Sequence, residues 1–474
     1  MRARTRAAAL AAALLLPLLA SPAGAATPQP RIRLIAATPS VDAFTYGGGA
    51  VFLDLGTYLG VQDAPLRIDV RRADYASPIT ADVDLGGGQT VPVPPQLLGG
   101  WNGLRGMISI RVFSHGAQIR HRWVGFCPNG SDLERIDGAG PFAPTFPESC
   151  DGNPFSLGAV WGIDQGWAAN ALGYGVSMRL AKGTYRMEVA ITPPFRSLLG
   201  IADADAQVSV RVHVKKGDGC VDLCPIASPG RSGASPRKAG LRAAADPAPD
   251  PATLPDLIAL PAWGIEVDRV GSHDVLSFGA TVWDAGPAPL IVEGYRVPGT
   301  DTMSAFEYFS SGGTIVGRAP VGTFLFDRRP GHDHWHFQQF ARYRLLAADG
   351  TEVLRSKKEG FCLAPTDAID LLVPGADWRP DVLGFSECAG ASALWIRETL
   401  PTGWGDTYQQ SLPGQAFDIT SLPNGRYQIE IAANPTGELY EADTTNDAAL
   451  RTVILRGTPG HRSVRVLPVG EITA

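Results

Sequence analysis

Short runs of alternating apolar and polar residues constrain the fold of this chain most strongly. The runs "YRMEVAIT" (185–192) and "YQIEIAAN" (427–434) alternate with a period of two, and each follows a Lys-Gly or Asn-Gly turn signal. Successive side chains of a strand point to opposite faces, so such runs indicate half-buried β-strands. No long stretch shows a helical period. We therefore predict an all-β protein built from two tandem sandwich-like domains.

A segment without strand or helix pattern, 217–254, divides the chain into two parts of similar size. It is rich in Gly, Pro, Ser and Ala, a composition that cannot bury a core and that is typical of a linker. We predict one β domain at 26–216, a second at 255–457 and a tail at 458–474. A single large β-rich domain with a long excursion is the alternative.

The two halves repeat a series of short motifs in the same order. Each contains a Gly-Phe-Cys triplet, a second cysteine, a Gly-Trp pair, one of the alternating runs above and an acidic turn before a final strand. Five ordered matches indicate a diverged tandem duplication.

The start of the chain predicts export. Residues 1–25 contain early arginines, an apolar run and a small-residue Ala-Gly-Ala site, the pattern of a secretory signal peptide. The apolar run is short for a bilayer span, which needs about 20 residues. We therefore expect a secreted or extracellular protein without a membrane span.

The six cysteines and the net charge narrow the class further. An even cysteine count in an exported chain favours disulfides, and the order suggests three local pairs: Cys127–Cys150, Cys220–Cys224 and Cys362–Cys388. Sequence alone leaves the connectivity open, and the 220–224 pair is also compatible with a metal. The formal charge of −6 argues against a nucleic-acid partner and mildly favours cationic ones.

Three of the chain's eight histidines alternate within one short stretch. On an extended strand His332, His334 and His336 share one face, while Asp333 and Trp335 point oppositely. Three neutral imidazoles suit copper, zinc, nickel or iron. Three protein ligands leave positions open for water, oxygen or substrate. A solvated polar strand is the alternative, but clustering of so scarce a residue favours a metal.

Further motifs accompany the histidines in a fixed order: H-D-H-W-H, F-x-R-Y, K-x-x-F-C, G-x-x-D-T-Y, N-G-R-Y and E-A-D-T-T-N. Together they resemble the catalytic domain of the lysyl oxidases, which are secreted copper amine oxidases, over residues 255–457. The resemblance implies copper bound by the histidine triplet. It also implies that Lys358 and Tyr408 are cross-linked into lysine tyrosylquinone, with the Phe-Cys register selecting Lys358 over its neighbour Lys357.

The resemblance also implies an activity. A primary amine, either peptidyl lysine or a small amine, condenses with the quinone, a base removes the α-proton, and water hydrolyses the product to release an aldehyde. Molecular oxygen regenerates the quinone and yields hydrogen peroxide and ammonia. Asp406 would share the face of Tyr408 on a strand and is the candidate base, with a turn or capping carboxylate as the plainer interpretation. A secreted copper- or zinc-binding β-sandwich protein without catalysis, for metal capture or adhesion, is the alternative function.

Two features depart from the animal lysyl oxidases. Arg342 stands in F-A-R-Y where those enzymes have a histidine, which leaves no histidine there for an acid–base or positioning role. The interval from Lys358 to Tyr408 is also longer, although loop closure grows costly only slowly with length.

The first half lacks all three elements of the proposed site. Alignment of the Gly-Phe-Cys triplets places Trp123 at the position of Lys358, and alignment of the Gly-Trp pairs places Ala171 at that of Tyr408. The stretch corresponding to the histidines, 96–101, has none. We interpret the first half as a degenerate, non-catalytic copy for substrate docking, surface attachment or support of the second half.

The acidic stretch 441–447 raises a second metal hypothesis. Asp443, Asn446 and Asp447 offer oxygen ligands for calcium, but the stretch lacks a 12-residue loop of alternating oxygen ligands. We expect a turn between strands here.

Overall fold

The structure confirms the all-β prediction. The computed structural model describes residues 28–46, 49–130, 132–150, 152–173, 175–216, 249–297, 299–329, 333–356, 358, 360–380, 388–409 and 415–474. Within these ranges nearly all regular structure is strand. The one α-helix assigned there, α1 (Pro193–Leu199), has two turns, and three short 3-10 helices lie at Pro95–Leu97, Asp203–Asp205 and Pro251–Thr253.

The strands are numbered in chain order, β1–β15 in the first half and β16–β31 in the second. The first half contains β1 (Arg31–Ala36), β2 (Ser40–Tyr46), β3 (Ala50–Leu53), β4 (Thr57–Gln62), β5 (Leu66–Arg71), β6 (Thr80–Asp84), β7 (Thr90–Pro92), β8 (Leu104–Ser114), β9 (Ala117–Phe126), β10 (Glu134–Arg135), β11 (Gly158–Ile163), β12 (Trp167–Asn170), β13 (Val176–Arg179), β14 (Gly183–Ile191) and β15 (Gln207–Lys216). The second half contains β16 (Leu257–Ala259), β17 (Trp263–Val270), β18 (His273–Asp284), β19 (Leu290–Arg296), β20 (Thr302–Ser311), β21 (Thr314–Asp327), β22 (His334–Phe337), β23 (Ala341–Ala347), β24 (Glu352–Arg355), β25 (Asp367–Ala368), β26 (Trp395–Leu400), β27 (Trp404–Tyr408), β28 (Ala416–Asp418), β29 (Gly425–Ala433), β30 (Ala448–Arg456) and β31 (Ser463–Val466).

Each half contains three sheets, and the strand orders correspond. In the first half they run β1-β4-β12-β10, β11-β5-β6-β7 and β13-β3-β2-β15-β14-β8-β9. In the second half they run β16-β18-β27-β25, β26-β19-β20-β21-β22 and β24-β23-β29-β30-β31, with β17 and β28 also pairing β18. For example, β12 of the first half and β27 of the second hold equivalent positions in their sheets, and so do β14 and β29. This repeated topology supports the interpretation of a tandem duplication.

The strand that carries the histidines has no assigned counterpart in the first half. β22 pairs with β21 at the edge of its sheet, whereas the corresponding sheet of the first half ends at β7. The framework shared by the halves therefore does not need β22.

Alternation places the core where the sequence pattern predicts it. In β29, Tyr427, Ile429 and Ile431 are buried, and in β14 Met187 and Val189 are buried. These side chains join one large apolar cluster in each half. Their removal from water supplies the main favourable free energy of folding.

Two disulfides confirm the predicted local pairing where the chain is described. Cys127 pairs with Cys150, and Cys362 pairs with Cys388. Cys220 and Cys224 lie outside the described residues, as do the predicted signal peptide and most of the predicted linker. Among the described residues, the helices are too short and insufficiently apolar to cross a membrane.

The two halves pack directly against each other. The Leu157 amide donates to the Ile369 carbonyl at 2.7 Å, and the Leu371 amide donates to the Gly158 carbonyl at 3.0 Å. Two small apolar clusters combine side chains of both halves. The buried Asn153 side chain of the first half donates to Asp367 in the second. Asp367 in turn accepts from Thr407, so this contact reaches β27, the strand of Asp406 and Tyr408.

Candidate metal and cofactor site

Two of the three alternating histidines lie together at the start of β22. The Nε2 atoms of His334 and His336 are 2.8 Å apart, while Trp335 and Phe337 point to the opposite face and are fully buried in the core. The strand begins at His334, because Asp333 adopts a left-handed conformation with φ 51°. The extended pattern expected over the whole triplet therefore holds from His334 onward. His332 lies outside the described residues.

A carboxylate stands behind this imidazole pair. Oδ2 of Asp327, on β21, is 3.7 Å from Nδ1 of His336, on the ring edge away from His334. Nε of Arg329 donates to both oxygens of Asp327 at 2.9 Å. Metal-bound imidazoles commonly have such a carboxylate behind them, which orients the ring and selects the tautomer. Two converging Nε2 atoms with this support fit the donor set that copper prefers.

The histidine strand is hydrogen-bonded to the segment that follows Lys358. The amides of Phe337 and Phe361 each donate to the other's carbonyl, at 2.7 and 2.9 Å. The carbonyl of Cys388 accepts from the amide of Trp335 at 2.9 Å, and Cys388 is disulfide-bonded to Cys362. Backbone pairing and the disulfide therefore connect the histidines to this segment.

The structure brings Lys358 and Tyr408 together. Nζ of Lys358 lies 4.1 Å from the centroid of the Tyr408 ring and 5.0 Å from that of Phe361. The Tyr408 hydroxyl accepts from the Cys362 amide at 2.7 Å and donates to the Cys362 carbonyl at 2.9 Å. The Lys358 amine therefore faces the Tyr408 ring, whose hydroxyl is fixed by two hydrogen bonds to the Cys362 backbone. Lys357, the competing lysine, lies outside the described residues.

Burial changes the protonation of both groups. Burial lowers the pKa of Lys358 to about 8; Asp406 acts in the opposite direction, and Arg329 lowers it further. Burial, reinforced by Asp406 and Tyr343, raises the pKa of Tyr408 well above its ordinary value. At pH above about 8 the lysine is thus mainly a neutral, nucleophilic amine next to a protonated phenol.

We expect the lowered pKa of Lys358 to be measurable by pH-dependent labelling of its amine in the metal-free protein. Only the neutral amine reacts, so labelling should rise with pH and level off above about 8. In denaturant the same residue should titrate near the ordinary lysine value of about 10.4, which provides the control. Because the folded chain loses this proton at lower pH than the unfolded chain does, the free energy of unfolding should also rise between the two values. Identical midpoints in native and denatured protein would contradict the buried placement.

Asp406 lies on β27 two residues before Tyr408 and is only 3% exposed. Burial raises the pKa of this carboxyl well above its ordinary value, while Lys358 and a hydrogen bond from the Ala364 amide oppose the shift. Its Oδ2 has no hydrogen-bond partner among the described residues. This environment differs from that of a solvated turn carboxylate, and a raised pKa suits a base that works near neutral pH.

Arg342 points away from this site. It alternates along β23 with Ala341 and Tyr343, which are buried, whereas Arg342 is half-buried on the other face. Its electrostatic neighbours are Arg344, Arg355 and acidic residues of the same face. Tyr343, on the opposite face of β23, does interact with Asp406: burial and then the Asp406 carboxyl raise the pKa of this tyrosine.

Sequence reasoning missed Glu398. Within β26 the residues Ile396, Glu398 and Leu400 alternate inward and are each fully buried. A glutamate at an inward position of an alternating strand was a readable signal. An oxygen of Glu398 and the sulfurs of Cys362 and Cys388 lie within 4.8 Å of one another. The two sulfurs are bonded to each other, so they are not thiolate ligands for a metal.

The first half has different side chains at the equivalent positions. Trp123 is 61% exposed and packs against His121 at a centroid distance of 4.0 Å, with the two rings tilted by 43°. Ala171 is fully buried, at the place where β27 has Tyr408. Thus no amine–phenol pair forms at these positions.

The acidic stretch 441–447 forms the predicted connection between β29 and β30, and Asp443 accepts from both the amide and the hydroxyl of Thr445. The stretch also adjoins buried carboxyls. Burial and neighbouring carboxylates raise the pKa of Glu441 to about 7 and that of Asp447 to about 6, and burial also raises the pKa of Asp256.

The fold and this site together define an all-β protein in which paired imidazoles lie near an amine–phenol pair. The lysyl oxidase family model matches residues 324–463. The chain is 31% identical over 118 residues to lysyl oxidase homolog 3B of Danio rerio, 30% over 118 residues to lysyl oxidase homolog 3 of Homo sapiens, and 31% over 117 residues to lysyl oxidase homolog 2 of Bos taurus. These matches cover 24–25% of this chain and 13–14% of each relative. The C-terminal region of the chain thus belongs to the lysyl oxidase family.

Proposed function

We propose that this protein is a secreted, copper-dependent amine oxidase that uses a quinone formed from Lys358 and Tyr408. Membership of its C-terminal region in the lysyl oxidase family supports amine oxidase activity in general. The observation that carries the specific proposal is the 4.1 Å distance between the Lys358 amine and the Tyr408 ring. These residues are far apart in sequence, and nothing in ordinary sandwich packing requires a lysine over that ring.

His332, His334 and His336 are the residues that would hold copper. When bound, copper would supply the redox chemistry with oxygen by which the Tyr408 ring is oxidised. The quinone, once formed, would supply the electron sink for amine oxidation. The convergence of His334 and His336, and the carboxylate of Asp327 behind them, support this assignment.

The chain's own residues supply position and proton transfer. The Cys362 backbone holds the Tyr408 hydroxyl and so orients the ring towards Lys358. The neutral amine of Lys358 is the nucleophile for cross-linking. Asp406 is the proposed base for the α-proton of the substrate amine, because it is buried, interacts with Lys358, and has one oxygen without a hydrogen-bond partner among the described residues. Burial of these groups keeps water away and strengthens their mutual interactions.

The proposed substrate is a primary amine, either peptidyl lysine or a small amine, with molecular oxygen as the oxidant. The two disulfides suit an oxidising compartment and support secretion. With the domain boundaries proposed from the sequence, residues 26–216 are the proposed non-catalytic copy and residues 255–457 are the proposed catalytic domain. The contact of the first half with β27 through Asn153 and Asp367 supports a role in holding the second half in place.

The test is to load the purified protein with copper in air and to map its peptides by mass. A linked Lys358–Tyr408 peptide with the quinone mass, together with amine-dependent release of hydrogen peroxide, is the expected result. Separate, unmodified peptides after full copper loading would instead favour the alternative, a secreted copper- or zinc-binding β-sandwich protein without catalysis.

A further inference from the structure

Successive backbone amides from Cys362 to Ala364 each face a different side chain of the site. The Cys362 amide donates to the Tyr408 hydroxyl at 2.7 Å, and the Leu363 amide donates to Oε2 of Glu398 at 2.9 Å. The Ala364 amide lies close enough to the Asp406 carboxyl to oppose the rise of its pKa. This three-residue segment, which we call the strap, therefore sets the relative positions of the phenol and the two carboxyl groups.

The strap is held at its start and at its middle. At its start, the disulfide to Cys388 and the backbone pairing of Phe361 with Phe337 tie it to the histidine strand. At its middle, the Leu363 amide is hydrogen-bonded to Glu398. Since a buried amide without an acceptor is costly, Glu398 is the residue that determines where this part of the strap lies.

Glu398 has the surroundings of a neutral acid. It is 0% exposed, and its Oε1 has no hydrogen-bond partner among the described residues. The described chain shows no ion pair to it, and the nearby negative charge of Asp406 further disfavours its ionisation. The cation next to this pair of carboxyls is Lys358, which interacts with Asp406. A fully buried carboxyl without a compensating cation favours its protonated form, so Glu398 keeps its proton.

We propose that Glu398 is a positioning residue for the amine oxidation: as a neutral buried acid, it fixes the strap and through it the Tyr408 hydroxyl and the Asp406 carboxylate. This inference rests on the proposed function for its catalytic consequence. The placement of the strap itself does not depend on that function.

Two substitutions of Glu398 distinguish a requirement for a hydrogen-bond acceptor from a requirement for a charge. Glu398→Gln keeps an oxygen acceptor for the Leu363 amide in a neutral side chain of the same shape, whereas Glu398→Leu removes the acceptor. Glu307 provides a matched control pair. It is also 0% exposed and accepts one backbone amide, that of Tyr440, and in the described part of the chain its other oxygen has no hydrogen-bond partner. The amide that it accepts thus lies outside the strap.

The first measurement is amide hydrogen exchange of peptides spanning residues 361–366 in the metal-free protein. We expect Glu398→Gln to retain wild-type protection and Glu398→Leu to exchange at least about tenfold faster, the size of effect that one lost hydrogen bond gives. Glu307→Leu should leave these peptides protected, and melting curves establish that each variant is folded. Wild-type protection in Glu398→Leu would overturn the proposal.

The second measurement is the yield of linked Lys358–Tyr408 peptide and the pH profile of amine-dependent peroxide release. Glu398→Gln should match wild type in both, while Glu398→Leu should lose at least about tenfold in yield. A Gln variant as impaired as the Leu variant, or one with a displaced pH profile, would show that Glu398 must ionise and would refute the neutral role. If wild-type protein forms no linked peptide, the proposed function fails, and the exchange measurement still decides whether Glu398 positions the strap.

Discussion

Lys358→Arg should abolish the quinone while leaving the rest of the site intact. Arginine cannot supply the neutral amine that cross-linking needs, because its guanidinium stays protonated. We expect no linked peptide after copper loading in air and a loss of amine-dependent peroxide release of at least about a hundredfold, since the electron sink is missing. Below a pH of about 8 Lys358 is itself mainly a cation over the Tyr408 ring, so in that range the free energy of unfolding should change by about 1 kcal/mol or less.

The neighbouring substitution Lys357→Arg is the matched control for Lys358→Arg. The Phe-Cys register assigns the cofactor to Lys358, so Lys357→Arg should retain both the linked peptide and the activity. Tyr408→Phe should behave like Lys358→Arg, because a ring without its hydroxyl is not converted into the quinone. If the linked peptide disappeared with Lys357→Arg and survived Lys358→Arg, the register would be wrong although the enzyme class would stand.

The largest effects on metal binding should come from His336 and its carboxylate partner. His336→Ala removes a converging imidazole, and we expect copper affinity to fall by at least about a hundredfold. Asp327→Asn keeps the side-chain shape but removes the charge 3.7 Å from Nδ1 of His336. Loss of such a partner typically reduces metal affinity by about 10- to 100-fold. Competition with a chelator in otherwise metal-free protein measures both.

His273→Ala is the control for the histidine substitutions. His273 is also paired with a carboxylate, at 2.8 Å from Asp418, but it is exposed and lies outside the histidine cluster. Its removal should leave copper affinity unchanged. Equal losses in His273→Ala and His336→Ala would indicate nonspecific copper binding rather than a site at β22.

The sequence pattern was sufficient for the fold class because its physical basis is local. A strand exposes alternate residues to opposite faces, so runs such as 427–434 report the buried face without knowledge of any partner strand. The repeated order of motifs likewise predicted a duplication, and the corresponding sheet orders of the two halves agree with it. The order of the cysteines suggested the pairing of Cys127 with Cys150 and of Cys362 with Cys388 without fixing it, and the structure contains both pairs.

The details of the site depend on long-range packing and were less accessible. Alternation predicted one shared face for the histidines, but the left-handed conformation of Asp333 begins the strand at His334. The motif F-A-R-Y does not show which face of β23 carries Arg342. The pairing of β23 with β29 places Arg342 on the face away from the site. Glu398 was missed because its importance comes from an amide on a remote segment, not from any motif around it.

By itself, the sequence determined the all-β class and the family of the C-terminal region, and it suggested the tandem halves and the two described disulfides. These follow from local periodicity and from motif order, which the chain displays without folding. Only the tertiary structure decided that the amine of Lys358 lies 4.1 Å from the Tyr408 ring, beside a buried Asp406 and a strap held by Glu398. The reason is physical: distances and protonation depend on which strands pair and which groups lose water, and those are properties of the packed molecule.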